Sequence, residues 1–290
     1  MATANHAVSI RIRVIIDFMC PWSFIGMRSL QRAKERVLLR QQEAATSGSS
    51  DHGRIPTELR FLPIEFVPFE FDPPGTYPPE GIDWKEYCLG YGSPKAEFLL
   101  EQKLPRAFAL GRDVGIRFKM ERRIVDTVDV NTALHLLVSN ATQYGNADAA
   151  ETFVVDSLSA HFEALENPNE RRGLERRMVN SVVSKDAAAE ENKAKIILAD
   201  LGTALNHPEK LTQNQKRTDR ARRVLRSGVP QFEVYCDARG FEDLDLCRHP
   251  RFTDMSPVSP EYFEQMFDTC LTMAHEQSKG TTHSVGNEDL

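Results

Sequence analysis

The stretch Asp17-Phe18-Met19-Cys20-Pro21-Trp22-Ser23-Phe24 decides how this chain is read. It follows an apolar run in which Ile10, Ile12, Val14 and Ile16 alternate with Arg11 and Arg13, the pattern of a strand entering a sheet interior. It precedes Ile25 to Leu39, which reads as a helix. Cys20 therefore stands at a strand–helix junction, where free backbone N–H groups and the positive end of the helix dipole point outward. That setting favours thiolate over thiol: a free cysteine titrates near about 8.5, and helix N-termini lower this to roughly 3.5–7.5. Pro21 suits the first helical position, because its missing N–H has no intrahelical partner to lose. The plainer alternative for an apolar-flanked cysteine is a buried small residue.

A strand, Cys-Pro-x-Cys and a helix in that order mark thioredoxin-like redox proteins. Here the fourth position is Ser23. A dithiol site releases a trapped substrate by attack of its second thiol, which a hydroxyl cannot do. Cys20 can form a mixed disulfide, but an outside thiol must resolve it.

Composition narrows the class. The 290 residues are 41% hydrophobic with a net charge of −6, so there is core enough for one large or two modest domains and no electrostatic case for nucleic acid. The N-terminus carries no apolar segment long enough for a signal peptide or a membrane span, and the reading is a cytoplasmic protein with no membrane partner. The 5 cysteines, odd in number and scattered, do not make a disulfide framework. Cys236, Cys247 and His249 match no common zinc spacing, and no metal site is expected.

Working outward, Gln41 to Arg54 reads as a loop, and Leu59 to Phe71 as the second strand, leaving the sheet at Pro73-Pro74. From Gly81 to about Arg226 the texture is helical, with Pro105 a kink or break, Asp129 a cap and Gly145 just past a helix end. His135 and His161 fall on these helices and read as packing or surface residues. Gln231 to Cys236 is a strand, Asp237 to Gly240 a hairpin turn, Phe241 to Leu246 the returning strand, and Glu261 to Ala274 the last helix. The fold class is thus α/β: a thioredoxin-like mixed sheet, β-α-β and β-β-α, with a large all-helical insertion. The discontinuous sheet domain takes residues 10–80 and 227–276, the helical insertion 81–226, and a disordered tail 277–290.

This order of motifs resembles the DsbA-like thioredoxin superfamily, most closely the FrnE-type oxidoreductases. The resemblance spans about residues 10–275. Its carriers are Asp17 through Gly26, Phe69-Glu70-Phe71-Asp72-Pro73, Asn131-Thr132 with His135, and Gly228-Val229-Pro230. It implies a cis Pro230 facing Cys20, and a Val229 backbone that offers strand-like hydrogen bonds to a bound peptide or glutathione. A trans proline merely starting a strand is the alternative. Ser23 departs from the usual Cys-x-x-Cys. A related branch, the kappa-class glutathione transferases and 2-hydroxychromene-2-carboxylate isomerases, also lacks the dithiol, but usually has serine where Cys20 stands.

The expected function is that of a monothiol, glutathione-linked thiol–disulfide oxidoreductase. Cys20 is its nucleophile, with Ser23 donating a hydrogen bond to the thiolate. Pro21, Trp22, Val229 and Pro230 bind the substrate. Glutathione is the co-substrate and no cofactor is bound. The alternatives are a glutathione-dependent transferase or isomerase, and a thioredoxin-fold binding module without turnover. Related proteins are often homodimers, but no decisive interface is legible.

Overall fold

The structure is a computed structural model that describes residues 7–46, 58–183, 189–225, 228–238 and 259–280. In chain order the elements are β1 (Ala7–Ile16), α1 (Pro21–Thr46), β2 (Glu58–Phe61), β3 (Glu65–Pro68), β4 (Ile82–Asp83), α2 (Trp84–Leu89) and α3 (Lys95–Glu97). A π-helical turn, Phe98–Lys103, leads into α4 (Leu104–Asp113), β5 (Arg123–Ile124), α5 (Val128–Ser139), α6 (Ala141–Tyr144) and α7 (Ala149–Phe162). Then come α8 (Arg171–Val182), α9 (Ala189–Leu205), α10 (Lys210–Val224), β6 (Gln231–Ala238) and α11 (Pro260–Gly280). The fold is mixed α/β, a thioredoxin-like sheet with a helical insertion.

β1 is the sheet's centre, bonded by β2, β3 and β6. Its side chains Ile10, Ile12, Val14, Ile15 and Ile16 are all fully buried. β2 runs parallel to it with Ala7 opposite Glu58, and β3 runs parallel with Arg13 opposite Glu65. The register slips by one residue between them, so the single strand expected over Leu59–Phe71 is two segments around a bulge at Leu62, Pro63 and Ile64. Pro63 explains the break, because it has no N–H to give the ladder.

The sequence divides by density of contact into two compact units. The first is Met1–Ile12, Ser29–Pro63 and Phe232–Leu290. In its core Phe61 meets Phe267 edge-on with ring centres 4.9 Å apart, and Phe232 meets Phe263 edge-on at 5.1 Å. Arg36, one of the arginines spaced by four on α1, bonds Glu261 at 2.8 Å and Glu264 at 2.9 Å on α11. The α11 helix runs on to Gly280, past the start expected for the tail. The returning strand expected at 241–246, and Cys247 and His249, lie outside the described residues.

The second unit is Arg13–Arg28 and Ile64–Gln231. It holds the C-terminal half of β1, the first turns of α1, β3, and the helices from α2 to α10. Phe18 meets Phe153 edge-on, and Phe24 stacks on Phe162. Burying each such ring contributes roughly 1.5–3 kcal/mol. The helical reading of 81–226 misses one feature: β4 and β5 pair antiparallel, Ile82 opposite Ile124. Two residues per strand are too few for a period-two signal. Pro105 does not break its helix, because it sits in the first turn of α4, where a missing N–H costs little, and the π turn precedes it. Asp129 is no cap: it lies inside α5 and pairs with Lys210 at 2.7 Å. Gly145 does end a helix, with φ of 65°.

Gly81 fixes the entry to β4. Its φ is +72°, and an added Cβ would lie 2.5 Å from the Ile124 carbonyl oxygen and 2.6 Å from Val125 Cγ1. Gly81→Ala is therefore expected to destabilise the protein by roughly 2 kcal/mol or more, from left-handed strain and a backbone clash. Urea unfolding that shows no change would mean β4 and β5 part at little cost.

Candidate active site

The junction after β1 is built by Asp17. Its carboxylate Oδ1 accepts from Met19 N at 2.7 Å, an Asx turn, and its carbonyl accepts from Cys20 N at 3.2 Å. Its own N–H donates to Ser23 Oγ at 3.3 Å. Phe18 anchors this turn in the core. Met19 packs against Trp84, Cys88, Leu104 and Ile124. Pro21 then opens α1, as its lack of an N–H allows.

Cys20 is half-buried, and its thiol donates to the Val229 carbonyl at 3.4 Å. The Val229–Pro230 peptide is cis. Ile15, Phe69, Ala221 and Val229 form the apolar wall behind the sulfur, joined by Val67 and Leu225. Residues 209 positions apart are thus brought together. Ser23 is fully buried, whereas Pro21, Trp22 and Pro230 are half-exposed around the sulfur's mouth.

The electrostatics differ from the sequence expectation of a depressed thiol pKa. Burial pushes the Cys20 thiol up to about 11, and the Asp17 charge adds to the rise; the N–H groups of Ser23 and Trp22 and the Ser23 hydroxyl oppose it. The helix start does aim amides at the sulfur, but the apolar wall and a neighbouring carboxylate outweigh them. The Cys20–Val229 bond points the same way, since a thiol that donates its hydrogen is stabilised in the neutral form.

Asp17 itself is only 3% exposed. Burial raises its carboxyl to about 7, the Met19 amide lowers it, and Glu70 and Asp72 raise it further. Glu70 is buried too, and its pKa is raised, chiefly by that burial. Its Oε1 accepts from Thr127 Oγ1 at 3.0 Å and Asn131 Nδ2 at 2.8 Å. Asp72 accepts from the Tyr77 and Tyr87 hydroxyls. Asp17 therefore feels two further carboxylates, and of the three it is Asp17 that raises the thiol, after burial. The sequence contains all three, but nothing in their spacing shows that they converge. The alternation Glu70-Phe71-Asp72 at a strand end is the one signal that could have flagged them.

Two cations also feel the sulfur's charge. The Cys20 charge raises the pKa of Lys103 on the π turn and of Arg122, next to β5; burial lowers each more strongly. Sequence reasoning gave neither a role. His135 lies on α5 bonded to Ser139, and His161 is buried beside Phe162. Among the described residues no three metal-ligating side chains cluster, and Cys20 and Cys88 are free thiols. No helix among the described residues is long and apolar enough to cross a membrane.

The β1-turn-α1 junction, the parallel β1–β3 pair and the long helical insertion make a DsbA-like thioredoxin fold. The chain is similar in fold to a probable DsbA oxidoreductase from Streptomyces coelicolor, with a TM-score of 0.53 and 16% identity over 91% of this chain and 90% of that one. The cytosolic disulfide reductase DsbM from Pseudomonas aeruginosa, solved with glutathione, aligns with a TM-score of 0.44 and 12% identity over 90% of this chain and 99% of that one. A 2-hydroxychromene-2-carboxylate isomerase aligns at 0.43 and 12% identity, over 93% and 98%. No protein-family model and no curated protein matches the sequence.

Proposed function

We propose that this protein is a monothiol, glutathione-linked thiol–disulfide oxidoreductase with Cys20 as its nucleophile. The observation that carries this reading is the Cys20 sulfur 3.4 Å from the Val229 carbonyl, with a hydroxyl in place of a second thiol at Ser23. Cys20 thiolate attacks the glutathione sulfur of a protein–glutathione mixed disulfide. A Cys20–glutathione disulfide forms and the protein thiolate leaves, taking a proton. A glutathione thiolate then attacks that disulfide, giving oxidised glutathione and restoring Cys20.

The resting thiol is protonated, so binding must help to ionise it. A substrate strand that donates an N–H to the Val229 carbonyl takes away the acceptor that now holds the thiol neutral. Ser23 and the N–H groups of Trp22 and Ser23 remain to hold the thiolate. Oxidised glutathione is expected to attach one glutathione to the wild-type protein, mapped by mass spectrometry to Cys20, and none to that position in Cys20→Ser. An adduct confined to Cys88 or Cys270, or no adduct, refutes the nucleophile.

One observation favours a second reading. A thiol with a pKa of about 11 keeps its proton at neutral pH and can donate it to a bound glutathione thiolate. That is the arrangement of a glutathione transferase or isomerase, and a hydroxyl could do the same. Conjugation of glutathione to an electrophile that survives Cys20→Ser selects this reading over the first.

A further inference from the structure

The α10 helix carries Lys210, Lys216, Arg217, Arg220, Arg222 and Arg223 against the single acid Asp219. Three of these cations are engaged inside the fold. Lys210 pairs with Asp129 at 2.7 Å. Arg217 donates to Asn214 Oδ1 at 3.4 Å and to Gln213 Oε1 at 3.5 Å. Arg222 donates to the carbonyls of Glu70 at 3.0 Å and Phe71 at 2.7 Å, and it takes Asp219 at 3.6 Å. Lys216, Arg220 and Arg223 are exposed, and among the described residues none of the three makes a hydrogen bond or ion pair.

Helix geometry sets those three in a row. Positions 216, 220 and 223 follow the four-and-three spacing of one helix face. The buried side chains Asn214, Thr218 and Ala221 keep the same spacing two positions earlier, about 200° around the helix. The row therefore lies opposite the packed side, and it spans on the order of 10 Å of helix length. Val224, 45% exposed, flanks it.

Local stability does not account for the row. Cations in the last turn offset the helix dipole, which explains Arg223 but not Lys216 or Arg220, which precede that turn. Like charges three and four apart repel along a helix, so the row works against α10. Solubility does not call for it either, because it moves a chain with a net charge of −6 toward neutrality.

The row does make a short site for several carboxylates at once. Neighbouring charges stand roughly 5–6 Å apart, inside the screening length of about 8 Å at physiological salt, so their fields add. Two of the three are guanidiniums, whose planar fork takes a carboxylate by two parallel bonds. The spacing matches acids a helical turn apart, or on alternate residues of an extended chain. A long polyanion would run past the row into the field of an otherwise acidic chain, whereas a short acidic segment ends within it.

We propose that this face of α10 is the docking surface for an acidic polypeptide segment of a partner protein, its carboxylates held by Lys216, Arg220 and Arg223.

The test is fluorescence anisotropy of the full chain with labelled hexaglutamate, at about 50 mM and about 300 mM salt. Saturable one-to-one binding is expected, weakened on the order of tenfold by the higher salt. Lys216→Gln, Arg220→Gln and Arg223→Gln together should weaken it on the order of tenfold at low salt. A control with Lys85→Gln, Arg112→Gln and Lys119→Gln removes the same charge from exposed positions outside α10 and should leave binding nearly unchanged. Should the α10 triple variant fail to fold, Arg220→Gln alone, at the centre of the row, should still weaken binding by roughly threefold.

No saturable binding at low salt, equal binding of hexaglutamine, or equal loss in the two triple variants overturns the proposal. A single-stranded oligothymidylate of the same charge that binds more tightly than hexaglutamate, and is lost with the α10 cations, overturns it in favour of nucleic acid.

Discussion

Asp17→Asn is expected to raise stability relative to the wild type by about 4 kcal/mol between acid and mildly alkaline pH. The wild-type carboxyl titrates at about 7 in the fold against 3.8 when unperturbed, and each unit of difference is about 1.4 kcal/mol. A raised pKa means that the folded state favours the protonated acid. Its contribution is therefore complete below 3.8 and is lost as pH climbs through about 7. Asparagine carries no charge and loses nothing over that window. Its amide must still fit the Met19 N–H that the carboxylate now accepts. That cost shifts the whole comparison but does not depend on pH. Urea unfolding of both proteins across the range measures the slope. Parallel curves would mean that Asp17 is ordinarily solvated and does not carry a buried charge beside the thiol.

The second large effect is on the thiol itself. With a pKa of about 11, Cys20 should react with iodoacetamide at neutral pH on the order of a hundredfold more slowly than a free thiol. The rate should climb about tenfold per pH unit until well above the range of ordinary cysteines. Asp17→Asn removes the charge that follows burial among the causes of the rise, so the midpoint of the profile should fall. Cys88 and Cys270 are buried, and a Cys20→Ser control subtracts their alkylation. A midpoint at or below neutrality in the wild type would show that the helix terminus dominates after all. It would also remove the observation that favours the transferase or isomerase reading.

These two experiments probe one balance. The field of a helix start falls off within a turn and can be read from the order strand, cysteine, proline, helix. Burial and neighbouring charge cannot be read that way. Leu225 and Ala221, which press on the wall behind Cys20, lie on and just beyond a helix some two hundred positions away. Glu70 and Asp72 reach Asp17 only because β3 pairs with β1. An expectation of a resting thiolate counts the helix start and leaves out burial and the Asp17 charge.

Much of the architecture was nonetheless written locally. The alternation from Ile10 to Ile16 makes β1 the buried strand, Pro21 starts α1 where it must, and Gly145 ends a helix because only a residue at ease with positive φ does so cheaply. The β4–β5 pair and the bulge at Pro63 were not legible, because a two-residue strand has no period and a register slip belongs to the partner as much as to the strand. By itself the sequence determined the thioredoxin-like order of elements and which sulfur stands at the helix start. Tertiary structure alone decided that sulfur's protonation, and which cations of α10 find partners. Desolvation and charge depend on what lies within a few ångströms in space, whatever the distance along the chain.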